Sequence, residues 1–222
     1  MSVWFAVPSK RTPSDAERDL RLWREKGYKI ALWRDTGDAE IPCDLLLTGP
    51  YPGYHGAVNA LCKEIMAHDA AADWIVTGGD DMRPDPVRGP LEIADECTAH
   101  FGGTFGVMQP TGDHWAHPDR ICGSPWMGRE FCRRMYGGKG PFFEGYPHMW
   151  GDEEMHEVTK AMGILWNRDD LSHFHDHFQR DTPRGAQRPD WMVRNDNAYT
   201  QYKPLFESRK RAGFPGHEPC AK

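Results

Sequence analysis

Short apolar runs alternate with longer amphipathic stretches over the first 82 residues. Two of these stretches, 14–27 and 57–71, repeat their apolar residues at helical spacing and predict helices. The apolar runs are rich in β-branched and aromatic side chains and predict buried strands at 3–7, 28–33, 44–49 and 73–79. The order β-α-β-β-α-β predicts an α/β fold with a mixed, mainly parallel sheet flanked by helices.

The second half of the chain has a less regular pattern. It predicts helices at 91–101 and 152–163, and strands at 104–110, 164–166 and 171–178. From about residue 180 the sequence is polar, arginine-rich and interrupted by prolines. We therefore predict a single domain over 1–179, with halves that meet near residue 82, and a C-terminal extension over 180–222.

Composition narrows the class of protein. The chain has 222 residues, and its aromatic content of 12%, with nine Trp, argues against disorder. The six cysteines are scattered without a CxxC pair, which indicates reduced thiols and a cytoplasmic location. No apolar run approaches the ~20 residues that span a bilayer, and the first residues lack the basic region of a signal peptide. We therefore expect no membrane partner.

Charge is unevenly distributed along the chain. Residues 180–222 hold nine Lys and Arg against five Asp and Glu, a net +4, which leaves −10 for the rest of a chain whose total is −6. Any contact with a polyanion is therefore expected in the extension. Its basic residues alternate with aromatic ones, and the densest group is Arg209, Lys210 and Arg211.

Two groups of acids could carry chemistry. Asp80 and Asp81 follow the fourth predicted strand, where two carboxylates suit a divalent cation bridged to phosphate. The alternative is an ordinary turn. Asp152, Glu153 and Glu154 open a predicted helix behind a glycine-rich loop. They could supply a general base, or they could cap the helix and satisfy its dipole.

Three histidines follow one another at every second position near residue 175. On a strand, His173, His175 and His177 would share one face, and this pattern favours at least one metal ligand. With Asp176 they also resemble the HxHxDH zinc motif of metallo-β-lactamase-like hydrolases, although the motif here is one residue short. A metallohydrolase is therefore an alternative to any other metal-dependent function.

Taken in order, these segments resemble glycosyltransferases of the GT-A fold, close to the family-two enzymes. GYHGAVNALCKEIMAHDAAADWIVTGGDDM resembles the family's glycine-rich turn, helix and strand that ends in a DxD motif, with Gly79 in place of the first Asp. CGSPWMGREF resembles the acceptor-side segment, and HFHDH resembles the late histidine of the metal site. FFEGYPHMWGDEEM resembles the WGGE segment, with Asp152 in place of a glycine.

The resemblance implies roles for individual residues. Residues 1–82 would bind the nucleotide-sugar donor, and 83–179 would bind the acceptor and hold the base. A divalent metal, Mn²⁺ or Mg²⁺, would rest on Asp81 with His175 and His173. The base would be Glu153, with Asp152 and Glu154 as the other candidates and Asp152 as the more natural cap. The donor would contact Pro8, Ser9, Lys10, Arg11, Asp35, Asn59 and Asp80, and the acceptor Trp126, Trp150, Arg209, Lys210 and Arg211.

The implied reaction is metal-dependent transfer of a sugar from a nucleotide-sugar, a UDP-sugar in the first instance, to an acceptor hydroxyl. Attack in line by an activated hydroxyl would invert the anomeric centre. Two acceptor classes stay open: a glycan or small hydroxyl compound, or a 5-hydroxymethylpyrimidine in DNA, as in phage DNA glucosyltransferases. Besides the metallohydrolase, nucleotidyl transfer is an alternative because it shares the early α/β pattern. The sequence leaves the sugar and the oligomeric state open.

Overall fold

The computed structural model describes residues 1–114, 119–182 and 187–221. In chain order, the strands are β1 (Ser2–Pro8), β2 (Lys29–Asp35), β3 (Leu45–Gly49), β4 (Ala72–Val76), β5 (Met82–Arg83), β6 (Val107–Pro110), β7 (Trp126–Gly128), β8 (Leu165–Arg168) and β9 (Phe174–His175). The helices are α1 (Pro13–Lys26), α2 (Tyr54–His68), α3 (Pro90–Phe101), α4 (Arg129–Gly138), α5 (Gly151–Ala161), α6 (Phe178–Asp181) and α7 (Asp190–Arg211).

Seven strands form one sheet in the order β3-β2-β1-β4-β7-β6-β8. The first four are parallel to their neighbours, β7 runs antiparallel to both β4 and β6, and β8 is parallel to β6. A separate two-stranded antiparallel ribbon pairs β5 with β9. The predicted α/β class, with a mixed, mainly parallel sheet flanked by helices, is confirmed.

The central strands explain the uninterrupted apolar runs of the sequence. Residues 3–7 of β1 are all buried because helices cover both faces of the sheet. On one face Phe5 stacks on Trp23 of α1, with ring centroids 3.8 Å apart, and α3 packs beside them. On the other face Trp4 and Ala6 pack in a second core with residues of α2, α4 and α5. Polar side chains are thereby left to the strand ends.

The first helix is set by its end residues. Thr12 caps the N-terminus of α1 by accepting a hydrogen bond from the backbone N of Asp15 at 3.3 Å, and Pro13 follows it. Gly27 ends the helix with a left-handed φ of 98°. Because α1 starts at this fixed point, the short loop 9–11 is held at the carboxyl end of β1.

The segment after residue 178 is largely helical and packs on the domain. The 22-residue helix α7 buries Met192, Phe206 and Arg209, and Phe206 belongs to the core that α2 and α5 share. The predicted strand over 171–178 is shorter than expected, since only β9 pairs. Among the described residues, no helix has the length and apolar character needed to cross a membrane.

Candidate active site

Carboxylates collect at the carboxyl edge of the parallel strands, beyond the end of β4. Ser9, after β1, donates a hydrogen bond from Oγ to Oδ2 of Asp80 at 2.7 Å. The Nε of Arg11 lies 3.1 Å from Oδ1 of Asp80. Parallel strands end at the same edge, so residues distant in sequence meet here. The structure thus brings Ser9, Arg11 and Asp80 into contact, three residues for which the sequence predicted a shared site.

The ribbon of β5 and β9 brings a histidine to this acid pair. Nε2 of His175 lies 3.2 Å from Oδ1 of Asp81, and the backbone N of Asp176 donates to the carbonyl of Asp81 at 2.9 Å. Burial opposes the charge of Asp81, but the hydrogen bond and charge of His175 outweigh it and lower the pKa of Asp81. Burial dominates at Asp80 and raises its pKa despite Arg11 and Ser9.

Asp81 and His175 fit a divalent cation. Two neighbouring ligands of an octahedral Mg²⁺-like ion are separated by about 3 Å, given metal–oxygen distances of about 2.1 Å. The 3.2 Å between the facing atoms of Asp81 and His175 is close to that separation. Within the described ranges, no three His, Cys, Asp or Glu side chains converge in a ready-made metal site. Such an ion would therefore take its remaining ligands from water and substrate oxygens, as Mg²⁺ commonly does.

The other two histidines of the row point elsewhere, which corrects the expectation of a shared face. His173 is buried, where it hydrogen-bonds through Nδ1 to Ser124 and accepts from Nε1 of Trp126 at Nε2, 3.3 Å away. Burial lowers the pKa of His173 to about 3, so it is a neutral packing residue. His177 caps α6 by accepting from the backbone N of Gln179. Only β9 is extended, so the period of two does not persist. The metallohydrolase alternative loses the histidine cluster on which it depended.

A buried arginine supports the first loop and was missed in the sequence. Arg34, in β2, donates from Nη1 to the carbonyls of Ser9 and Arg11 at 2.9 and 2.8 Å. It thereby fixes the backbone that presents Ser9 and Arg11 to Asp80. Lys10 reaches outward and pairs with Asp35 at 3.1 Å on the exposed rim. Pro8 is the last residue of β1 and pairs with Trp33 of β2.

Two residues expected to touch ligands are structural. Asn59 is buried, donates to the carbonyl of Phe142 at 2.9 Å and accepts from its backbone N at 3.0 Å. It therefore anchors the loop before α5 instead of reaching a nucleotide. Trp126 lies in β7 with no exposed surface, so it cannot contact an acceptor. A single buried Asn or Trp carries no sequence signal that distinguishes these roles.

Trp150 begins α5 and packs inward. It adopts a left-handed φ of 78° and is the N-cap residue, a place the sequence suggested for Asp152. Its ring stacks on Tyr199 and Phe206 of α7, with centroids 4.1 and 4.6 Å apart. The ring is 5% exposed, so Trp150 fixes α7 on the domain rather than offering a face to an acceptor.

Asp152 and Glu153 form an interacting carboxyl pair in the first turn of α5. Burial, followed by the charge and hydrogen bond of Asp152, raises the pKa of Glu153 far above its usual value. Oε2 of Glu153 is buried without a hydrogen-bond partner, which favours the uncharged form. Both features favour the protonated form of Glu153.

Glu154 has a different environment from its two neighbours. Its side chain has no exposed surface, and each oxygen accepts from a tyrosine, Tyr136 or Tyr146, at 2.9 Å. Arg209 of α7 adds two more hydrogen bonds, at 2.9 and 2.7 Å. Glu154 is thus unavailable as a base. Arg209 is likewise buried in this ion pair and unavailable to an acceptor, which corrects both expectations.

The remaining basic residues of the predicted patch are on the surface. Lys210 pairs with Glu157 at 2.8 Å. Arg211 is exposed, and its guanidinium lies 4.0 Å from the carboxylate of Glu207. Arg184, part of the basic stretch in the sequence, lies outside the described residues. The extension therefore offers few unpaired cations among the residues that the structure describes.

Tyr54 links the two groups of carboxylates. Its hydroxyl hydrogen-bonds to Thr77 Oγ1 at 3.0 Å and to the carbonyl of Gly78 at 3.1 Å, just before Asp80. The charge of Asp152 also acts on this hydroxyl. Tyr54 therefore lies between the end of β4 and the start of α5, close to both groups of carboxylates. The sequence offered only an aromatic residue in a glycine- and proline-rich turn as a signal.

Comparisons with known proteins identify the fold. The catalytic domain of Drosophila β1,4-galactosyltransferase 7, in complex with xylobiose, aligns with a TM-score of 0.50 and 13% identity over 87% of this chain and 79% of that chain. A mutant of the same enzyme with manganese, UDP-Gal and xylobiose aligns at 0.46 and 12% identity, over 87% and 80%. No protein-family model matches the sequence, and no curated protein matches it significantly. The chain has the GT-A fold.

Proposed function

We propose that this protein is a metal-dependent glycosyltransferase that moves a sugar from a nucleotide-sugar to an acceptor hydroxyl. The observation that carries the proposal is the contact of Asp81 with His175 beside Asp80, at the carboxyl edge of a GT-A sheet. Ligands of open α/β sheets bind at this edge. The galactosyltransferase with the same fold contains xylobiose, which supports sugar transfer by analogy of fold.

Asp81 and His175 would hold the divalent metal, Mn²⁺ or Mg²⁺. When bound there, the ion would neutralise the diphosphate that leaves with the nucleotide. The chain itself prepares the position. Arg11 and Ser9 fix the Asp80 carboxyl, and the backbone of Asp176 fixes the carbonyl of Asp81. Because these partners lie on two segments far apart in sequence, the loop after β1 and the residue after β9, the acid pair is oriented before any ligand arrives.

The loop after β1 and the end of β2 would bind the nucleoside part of the donor. Lys10 and Asp35 face solvent at the rim, within 3.1 Å of each other, and can turn to a ribose hydroxyl or a phosphate. Arg34 keeps the loop backbone in place from below. UDP is the nucleotide with which we would begin, as the resemblance to family-two enzymes implies.

Asp152 is our preferred general base. The WGxE match favoured Glu153, but Glu153 retains its proton in the buried pair, and a protonated carboxyl cannot accept another from a hydroxyl. Glu153 instead orients Asp152 by a hydrogen bond. A hydroxyl activated by Asp152 and attacking in line with the leaving diphosphate would invert the configuration at the anomeric carbon.

A saccharide or another small hydroxyl compound is our preferred acceptor. Binding along DNA needs several free cations to neutralise successive phosphates. Arg209 is committed to Glu154 and Lys210 to Glu157, so the basic patch that motivated a hydroxymethylpyrimidine acceptor in DNA is largely neutralised. The DNA acceptor therefore stands second.

Thermal unfolding of the protein with a panel of nucleotide-sugars, each with and without Mn²⁺, tests the proposal. A donor at 100 times its dissociation constant stabilises the folded state by about 2.7 kcal/mol. We expect one nucleotide-sugar to raise the melting temperature only with the metal, and UDP release to follow when an acceptor is added. Release of a sugar phosphate would instead indicate nucleotidyl transfer. The absence of any metal-dependent shift would contradict the proposal.

A further inference from the structure

A cavity of about 480 Å³ lies next to the start of α5. Its volume is in the range of small-molecule sites, which hold compounds of one or two rings. Three elements far apart in sequence contribute to it: the turn after β3, the loop before α5, and α7. Its walls include Tyr51, Gly53, Pro147, His148, Arg194 and Asn195.

The backbone of the two loops makes this cavity rigid. The N–H of Tyr54 donates to the carbonyl of Pro147 at 2.5 Å. A Cβ on Gly53 would lie 2.4 Å from the same oxygen, so only glycine allows the loops to approach this closely. The third wall is fixed by the stacking of Tyr199 on Trp150 and by the pair of Arg209 with Glu154.

The cavity lies between the two groups of carboxylates. The charges of Asp35 and Asp80 act on the Tyr51 hydroxyl at one end. The charge of Asp152 acts on His148 at the other. A molecule in the cavity would therefore lie near, without touching, the proposed base and the donor end of the site, as an acceptor must before it reacts.

Arg194 gives the cavity a specific chemistry. Over the described ranges, every other arginine has a hydrogen bond or an ion pair, whereas Arg194 has neither. Arg188, just before α7, pairs with Asp196 at 2.6 Å, so the nearby carboxylate is already taken. A guanidinium with all its donors available binds carboxylate and phosphate groups in a bidentate manner. Asn195 adds an amide on the same wall.

We propose that this cavity binds the acceptor, and that the acceptor is a saccharide with an anionic group, a carboxylate or a phosphate ester, recognised by Arg194. The assignment of the bound molecule as the acceptor rests on the proposed function. The binding of an anionic sugar by Arg194 does not depend on it. A single free cation on the wall of an open cavity suits one anionic group on a sugar better than the row of phosphates on DNA.

Matched pairs of sugars test this inference by ligand-observed NMR titration. The pairs are methyl β-glucuronide against methyl β-glucoside, and glucose 6-phosphate against glucose, each with and without UDP and Mn²⁺. In the unmodified protein we expect the anionic member of at least one pair to bind about 10- to 100-fold more tightly, as expected of a charge-assisted contact. The pair of sugars that shows the difference in affinity identifies the anionic group that the cavity binds, a carboxylate or a phosphate.

Arg194→Ala should abolish this preference and leave the affinity for the neutral sugars unchanged. Lys203→Ala is the control, since Lys203 is an exposed cation on the same helix outside the cavity. Equal affinity within both pairs, no binding of any of the four sugars, a preference that survives in Arg194→Ala, or tighter binding of a short DNA strand would each overturn the inference. An Arg194-dependent preference without metal-dependent UDP binding would support it and count against the transferase.

Discussion

Three consecutive acids at the start of α5 show how environment, more than residue type, determines chemistry. Glu154 points into the core and accepts four hydrogen bonds from two tyrosines and Arg209. Glu153 forms a partly buried pair with Asp152, and burial together with the charge of Asp152 raises the pKa of Glu153. Successive helical side chains diverge by about 100°, so neighbours in sequence face different surroundings. The letters DEE predict a cluster of acids, but which one meets the cleft depends on packing.

The division of roles between Asp152 and Glu153 can be measured directly. Asp152→Asn should lower turnover by about 10²–10⁴-fold, as the loss of a general base does, with the donor affinity nearly unchanged. Glu153→Gln should retain turnover within about tenfold, because glutamine resembles the protonated acid that the pair already contains. Steady-state kinetics and donor titrations on both variants would decide. Loss of turnover confined to Glu153→Gln would assign the base to Glu153 instead.

The raised pKa of Glu153 predicts a pH-dependent stability. Its pKa in the folded state lies above the unfolded value of 4.5. The stabilising contribution is therefore complete below about pH 4.5 and is lost as the pH rises toward the folded pKa. Compared with the unmodified protein, Glu153→Gln should gain about 1 kcal/mol or more in unfolding free energy between pH 5 and pH 8.

Urea unfolding at the two pH values measures this gain. Glu64→Gln is the control, because Glu64 is exposed on α2. Its unfolding free energy should follow that of the unmodified protein at both pH values. If the unfolding free energy of Glu153→Gln changes with pH as that of the unmodified protein does, Glu153 carries no buried proton and is an ordinary carboxylate.

At the scale of elements, the turn between β3 and α2 matters more than its length suggests. The backbone hydrogen bond from Tyr54 to Pro147 joins this turn to the loop before α5, and the Tyr54 hydroxyl reaches the end of β4. The glycines and prolines of GPYPGYHG, residues 49–56, favour a turn but do not indicate its partner, since contacts between loops depend on the whole fold. For the same reason the sequence did not predict that the three histidines point in different directions, because those directions are set by the pairing of β9 with β5.

Two glycines with the same backbone conformation allow the cost of close packing to be measured separately from the cost of backbone strain. Gly53 and Gly37 both have a φ of +87°, but a Cβ on Gly53 would meet Pro147 while one on Gly37 would meet nothing within 4 Å. Both alanine variants should lose about 1 kcal/mol from the left-handed conformation. Gly53→Ala should lose at least about 1 kcal/mol more, as overpacked sites do, and acceptor binding should weaken with it. Equal loss in urea unfolding would show that the two loops are free to separate.

At the scale of the whole molecule, the sequence predicted the sheet and the acids at its edge, because strand ends are marked by apolar runs that stop. It did not predict that α7 completes the domain. The stacking of Trp150 on Tyr199 and Phe206 and the pair of Arg209 with Glu154 join segments about 50 residues apart. The polar, arginine-rich stretch therefore suggested a nucleic-acid contact, whereas one of its arginines, Arg209, forms a buried ion pair with Glu154.

The account rests on a metal-dependent donor site at Asp81, and calorimetric titration of UDP with and without Mn²⁺ tests it most directly. In the unmodified protein, and in the control Asp95→Ala on the exposed face of α3, UDP should bind with Mn²⁺ and bind at least about tenfold more weakly without it. Asp81→Ala should lose this metal dependence and keep its fold by circular dichroism. Equal Mn²⁺-dependent affinity in Asp81→Ala and the unmodified protein, or no UDP binding in either, would contradict the account.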